Sequence, residues 1–99
     1  MEDEVLIRPG KGILKHYTTK KIKGSKKVAL EMTIGEEKLY AVKERNFIKV
    51  LKSIHSFGNV VAYIAEKKPS GKEYILDMIG YPDRDATSED EMQLLNSIL

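Results

Sequence analysis

Apolar and polar residues alternate most cleanly over residues 27–34, KVALEMTI, where Val28, Leu30, Met32 and Ile34 fall on one side and Ala29, Glu31 and Thr33 on the other. A period of two predicts a strand with one face in a core. Strands are also predicted over 13–22, ILKHYTTKKI, with a start at either Val5 or Ile13, and over 38–43, KLYAVK, with KGSK (23–26) and GEE (35–37) as the intervening turns. The period then changes. Phe47, Val50, Leu51, Ile54 and Phe57 or Gly58 recur at helical spacing, predicting a helix from about residue 46 to 57, with Asn46 as N-cap and Gly58-Asn59 as its stop. Strand character returns in NVVAYIAE (59–66) and EYILDMIG (73–80), joined by a turn in KKPSGK (67–72). In the last strand Tyr74, Leu76 and Met78 are expected to point one way, and Glu73, Ile75, Asp77 and Ile79 the other. Apolar residues on both faces of this hairpin imply burial on two sides or curling into a barrel. Its edge would also suit dimerisation by strand pairing.

Beyond residue 80 the pattern breaks. YPDRDATSED (81–90) is polar and reads as a linker. SEDEMQLLNSIL (88–99) opens with Ser88 and has Glu91 three residues on, a capping box, followed by an apolar stripe of Met92, Leu95 and Leu99 or Ile98. The expected organisation is one compact domain over 1–80, then an acidic linker and a short amphipathic C-terminal helix over 81–99.

The chain is thus mostly β, in the order β-β-β-α-β-β, plus the terminal helix. Over residues 5–80 that order resembles the OB-fold, a small five-stranded antiparallel Greek-key barrel. An open, curled antiparallel sheet crossed by one helix fits the same pattern. No family motif accompanies the resemblance.

Composition narrows the functional classes. Ninety-nine residues with 41% hydrophobic content make one domain with a modest core. The absence of cysteine excludes a disulfide scaffold, a thiolate nucleophile and a cysteine metal site. The acidic start and short apolar run of MEDEVLIRPG read against a signal peptide, and no apolar run approaches the roughly 20 residues of a membrane helix. A soluble, cytoplasmic protein without membrane association is expected.

Charge is strongly segregated. Residues 5–72 carry sixteen Lys or Arg against five acids, whereas residues 73–99 carry seven acids against Arg84 alone. KHYTTKKIKGSKK (15–27) holds six lysines and no acid. A basic body of this kind favours polyanions.

Catalytic chemistry finds little support. His16 and His55 lie in different elements, and neither forms a recognisable metal spacing with the acids. RPGKG (8–12) lacks the phosphate-loop pattern and reads as a turn entering the first strand. The serines have no paired histidine, and the acids Asp83, Asp85, Glu89 and Asp90 fall in the expected linker without a rigid frame. No enzyme activity, cofactor or metal is expected.

Binding is the better reading. Single-stranded nucleic acid sites combine a positive groove with aromatic stacking platforms. The candidate set is Lys15, Tyr17, Lys20, Lys21, Lys23, Lys26, Lys27, Tyr40, Tyr63, Lys67, Lys68 and Lys72, although Tyr17, Tyr40 and above all Tyr63 also read as core residues. In an OB-like barrel the exposed face of the second and third strands and the two loops KGSKK and KKPSGK would line such a site. Lysine-dominated contacts imply salt-sensitive binding of DNA or RNA with low sequence specificity. The acidic end would lie across the basic face, recruit a protein through Met92, Leu95 and Leu99, or form a terminal helix over 88–99 packed on the domain's own core. A basic body with an acidic, apolar-tipped tail is similar in layout to bacterial single-stranded DNA-binding proteins, though the tail residues do not match their tip motif. The alternative is a protein-interaction module, an accessory subunit, inhibitor or small viral-type regulator, that binds another protein or a second copy of itself as a homodimer.

Overall fold

The computed structural model describes residues 6–21, 24, 28–42 and 47–99. Five strands and two helices follow one another as β1 (Leu6–Lys21), β2 (Val28–Ile34), β3 (Glu37–Val42), α1 (Phe47–His55), β4 (Val60–Lys67), β5 (Glu73–Ile79) and α2 (Ser88–Ile98). The strands join in the ring β1-β2-β3-β5-β4, and the ring closes into a barrel.

Closure depends on the length of β1. Its first half, Leu6–Ile13, pairs antiparallel with β4, and its second half, from Leu14 to Lys21, pairs with β2. The register shifts between Leu14 and His16, an irregularity of the kind that bends a strand from one partner to the next. RPGKG is therefore no entry turn. All five of its residues are laddered to β4, from Arg8 opposite Ala65 to Gly12 opposite Val61. The expectation of an all-antiparallel sheet also needs correction, because β3 and β5 run parallel and meet in register at Tyr40 and Tyr74. The sheet is mixed, and this is its shortest seam.

The inward faces make one core. Leu30, Met32 and Ile34 of β2 face Leu39 and Ala41 of β3 and Val61, Tyr63 and Ala65 of β4, and α1 adds Phe47, Leu51 and Ile54. The alternation in KVALEMTI thus holds for Leu30, Met32 and Ile34. It fails in β5, where Ile75 and Met78 are both in the core. Ala65 pairs with Ile75 but Ile64 with Asp77, so the ladder skips Leu76. One extra residue reverses the facing of everything beyond it.

Gly10 shows how tightly the wall is built. A Cβ there would collide with the Tyr63 ring, which lies directly over the β1 backbone. Helix α1 ends as expected, with Gly58 at φ 67° donating its N–H to the Ile54 carbonyl at 2.9 Å. The expected N-cap, Asn46, lies outside the described residues.

The segment after β5 is tied down rather than free. The Val60 N–H donates to Asp85 Oδ1 at 2.9 Å, the Ala86 N–H donates to the Val60 carbonyl at 2.9 Å, and Asn59 Nδ2 donates to the Tyr81 carbonyl at 2.8 Å. Helix α2 then packs on β1, β4 and β5. Val61 to Ala65 are all buried, so the outward-facing Ala62 and Ile64 are covered as fully as the inward residues. The capping box lies one residue earlier than the sequence pattern predicts, with Thr87 as N-cap and Asp90 as its reciprocal partner. Among the described residues no helix is long and apolar enough to cross a membrane.

Candidate functional site

Directly opposed residues in an antiparallel pair project to the same side of the sheet. Leu30 and Met32 point inward, so the intervening Glu31 points outward, together with its partners Thr18 on β1 and Tyr40 on β3. Lys20 opposite Ala29, and Lys38 opposite Thr33, share that outer face. Across the parallel seam β5 brings Tyr74 beside Tyr40, with ring centroids 5.9 Å apart and planes tilted by 42°. Lys72, at the end of the β4–β5 turn, holds its Nζ 5.4 Å from the Tyr40 centroid, a cation–π contact.

Between these groups sits a carboxylate. Glu31 Oε2 lies 2.9 Å from Lys20 Nζ, and Oε1 lies 3.8 Å from Lys38 Nζ. The Glu31 side chain is only 16% exposed. Hydrogen bonding from Lys20 holds its carboxyl below the usual range, and the same bond raises the Lys20 ammonium. The patch thus combines two half-buried phenol rings, three ammonium groups and the Glu31 carboxylate, with Glu66 opposite Tyr74 at its edge. It can offer π-faces to planar ligands and positive charge to anions.

Of the residues expected in a nucleic-acid site, Lys20, Tyr40 and Lys72 come together here. Lys23, Lys26 and Lys27 lie outside the described residues. Tyr63 is removed from the set: at 2% exposure its ring is in the barrel core, with the Arg8 guanidinium 5.6 Å from its centroid. Tyr17 is removed from this face for the same kind of reason. It pairs with inward-facing Met32, packs on the core and meets the His55 ring edge-on at 5.4 Å. Lys15 reaches Glu36 at 3.3 Å and Lys68 reaches Glu66 at 3.1 Å, while Lys21 and Lys67 are exposed at strand ends. Sequence reasoning missed Tyr74, because nothing local announces a parallel neighbour. Glu31 was missed as well: read as a three-residue turn, GEE would set Glu31 opposite Ala41, whereas the turn is Gly35-Glu36 and Glu37 already belongs to β3, which brings Glu31 opposite Tyr40.

The acidic end does not cover this face. Its helix lies over β4, and Glu91 pairs instead with Lys11 at 3.1 Å. The apolar stripe is divided: Leu95 is half-buried, whereas Met92 and Leu99 are 50% and 84% exposed. Edge pairing by the 59–79 hairpin is excluded for β4, whose two edges are taken by β1 and β5.

Two further charge clusters are structural. Arg8 donates to both oxygens of Glu73, at 2.7 and 2.9 Å, and holds that carboxyl below its usual range. Asp90 is the one buried charged side chain among the described residues. It accepts from Arg84 at 3.1 Å, from the Thr87 N–H at 2.7 Å and from the Tyr81 hydroxyl at 3.2 Å, while Arg84 stacks 3.6 Å from the Tyr81 ring centroid. Arg84 first, then the Thr87 N–H, pull the Asp90 carboxyl from 3.8 down to about 2. A carboxyl depressed on folding stabilises the native state above its unfolded value and loses that contribution as pH falls through its folded value. The melting temperature is therefore expected to drop as pH falls from about 4 to about 2. Asp90→Asn lowers it at neutral pH and flattens that part of the profile, leaving the slope due to Glu31 and Glu73; circular dichroism melts across the pH series check this.

No protein-family model matches this chain, and neither a curated protein nor a solved structure matches it.

Proposed function

We propose that this is a non-enzymatic, cytoplasmic OB-like module that binds single-stranded DNA or RNA on the outer face of β2, β3 and β5, with low sequence specificity. The observation that carries the reading is the Tyr40–Tyr74 pair flanked by Lys72, Lys20 and Lys38 on one surface. Bases stack on tyrosine faces whatever their identity, and ammonium groups neutralise phosphates without reading sequence. Ring closure and the placement of α1 between β3 and β4 support the OB-like part. The test is fluorescence anisotropy with labelled single strands of about fifteen nucleotides at about 50 and 200 mM salt. Binding is expected to weaken steeply with salt. Tyr40→Ala is expected to weaken it by roughly 5- to 100-fold, the equivalent of one lost stacking contact. Lys72→Ala, which leaves both rings in place, should weaken it less and reduce the salt slope by about one. No binding at micromolar protein in low salt would sink the proposal.

A second reading, a protein-interaction module, is favoured by the exposed Met92 and Ile98 on α2 and Leu99 at its C-cap. It predicts capture of a protein by the wild-type chain and not by a Met92→Lys, Leu99→Lys variant, with nucleic acid binding absent from both.

A further inference from the structure

We infer that Glu31 occupies a phosphate subsite, its carboxylate standing between Lys20 and Lys38 where a backbone phosphate of the bound strand would sit. This rests on the nucleic-acid reading of the same face. A carboxylate and a phosphate present the same kind of anionic oxygen to an ammonium group, so whatever seats one between two lysines can seat the other. Here the seat is built. Lys20 Nζ is 2.9 Å from Oε2 and Lys38 Nζ is 3.8 Å from Oε1, and the carboxylate is screened from solvent more than either lysine. Its cross-strand neighbour is Tyr40, whose ring meets Tyr74 at 5.9 Å. A nucleotide stacked on these rings would therefore bring its phosphate to the lysines that Glu31 now holds. Binding requires the carboxylate to release Lys20 and Lys38, which then pair with phosphate. Glu31 thus weakens the face for polyanions and keeps the two lysines positioned while no ligand is present.

The decisive comparison is Glu31→Gln against Glu89→Gln in the full chain, using the same anisotropy assay. Both substitutions remove one negative charge, but Glu89 is exposed on the first turn of α2, which packs on β1, β4 and β5, and has no lysine partner among the described ion pairs. Glu31→Gln is expected to tighten binding by about 5- to 20-fold at low salt and to steepen the salt dependence by about one phosphate contact. Glu89→Gln is expected to change it less than about twofold. Equal effects of the two variants would reduce Glu31 to net charge and overturn the inference. Weaker binding by Glu31→Gln would make Glu31 a direct ligand contact, and would overturn it too. If wild type binds and Tyr40→Ala weakens it while Glu31→Gln changes nothing, the subsite fails and the nucleic-acid reading stands. If wild type and Glu31→Gln both fail to bind, both fall.

Discussion

A chain ended at Ala86 is expected to lose its cooperative thermal transition, or to melt at least about 15 °C below the intact chain. The reason is local to β4. In a small barrel one face of each strand fills the core and the other meets solvent, yet β4 has five consecutive buried residues, Val61 to Ala65. Ala62 and Ile64 point away from the core cluster and stay buried beneath α2, which packs on β1, β4 and β5. Removing the helix uncovers Ile64, a loss of about 1.5–3 kcal/mol, and leaves Ala62 and Ala86 in water. It also strands Tyr81 and Arg84 without Asp90, their hydrogen-bond acceptor. Against a total stability of about 5–10 kcal/mol for a domain of this size, these losses decide the outcome. Melting followed by circular dichroism, with dye binding to report exposed apolar surface, makes the comparison. An unchanged transition would show that α2 is an appendage.

Gly10→Ala is expected to destabilise the protein by about 1–3 kcal/mol, far more than an exposed-strand glycine substitution that ordinarily favours alanine. The added methyl would meet the Tyr63 ring, and that ring cannot retreat. It is held in the core between β1 and the opposing strands, with its hydroxyl accepting from Arg8 Nη1 at 3.4 Å. Tyr63→Leu opens space below Gly10 at its own cost in lost packing. A double-mutant cycle should therefore be non-additive, the second alanine-bearing variant losing much less than the sum of the single changes. Additive losses, measured by denaturant unfolding, would mean that the two residues do not share the space.

The same pair of residues shows what sequence periodicity can and cannot carry. RPGKG has the composition of a turn, and its glycine and proline argue locally against a strand. It is strand because β4 lies alongside it and Tyr63 needs a neighbour without a side chain. Tyr63 alternates with Val61 and Ala65 on the apolar side of its strand, a sign of core position, while its ring and hydroxyl equally suit a binding surface. Only its burial separates the two roles. The β5 pattern failed for a related reason. A bulge at Leu76 is a property of the ladder with β4, and it turns Ile75 and Met78 to the same side although their spacing is odd.

For the site, even short-range register turned on one residue. A three-residue turn over GEE would set Glu31 opposite Ala41, but the turn is Gly35-Glu36, so Ile34 lies opposite Glu37 and Glu31 opposite Tyr40. Tyr74 joins them through a parallel seam with more than thirty residues between the partners, counted from Tyr40 to Tyr74, and no local signal encodes that approach. Tyr17 followed the opposite course: its lysine neighbours marked it as a surface residue, yet it pairs with Met32 and faces the core.

By itself the sequence determined the element order, the positions of α1 and the two hairpins, the inward set Leu30, Met32, Ile34, Leu51 and Ile54, and the segregation of charge. These depend on contacts between residues close along the chain, or on solvent exclusion with a fixed period, and so leave a local trace. Tertiary structure alone decided that the sheet closes with a parallel seam, that the acidic end clasps β4 instead of the basic face, and that Tyr40, Tyr74, Lys20, Lys38 and Lys72 surround Glu31. Those outcomes depend on which distant apolar faces find one another, and pairing energy of that kind is written in shape and not in spacing.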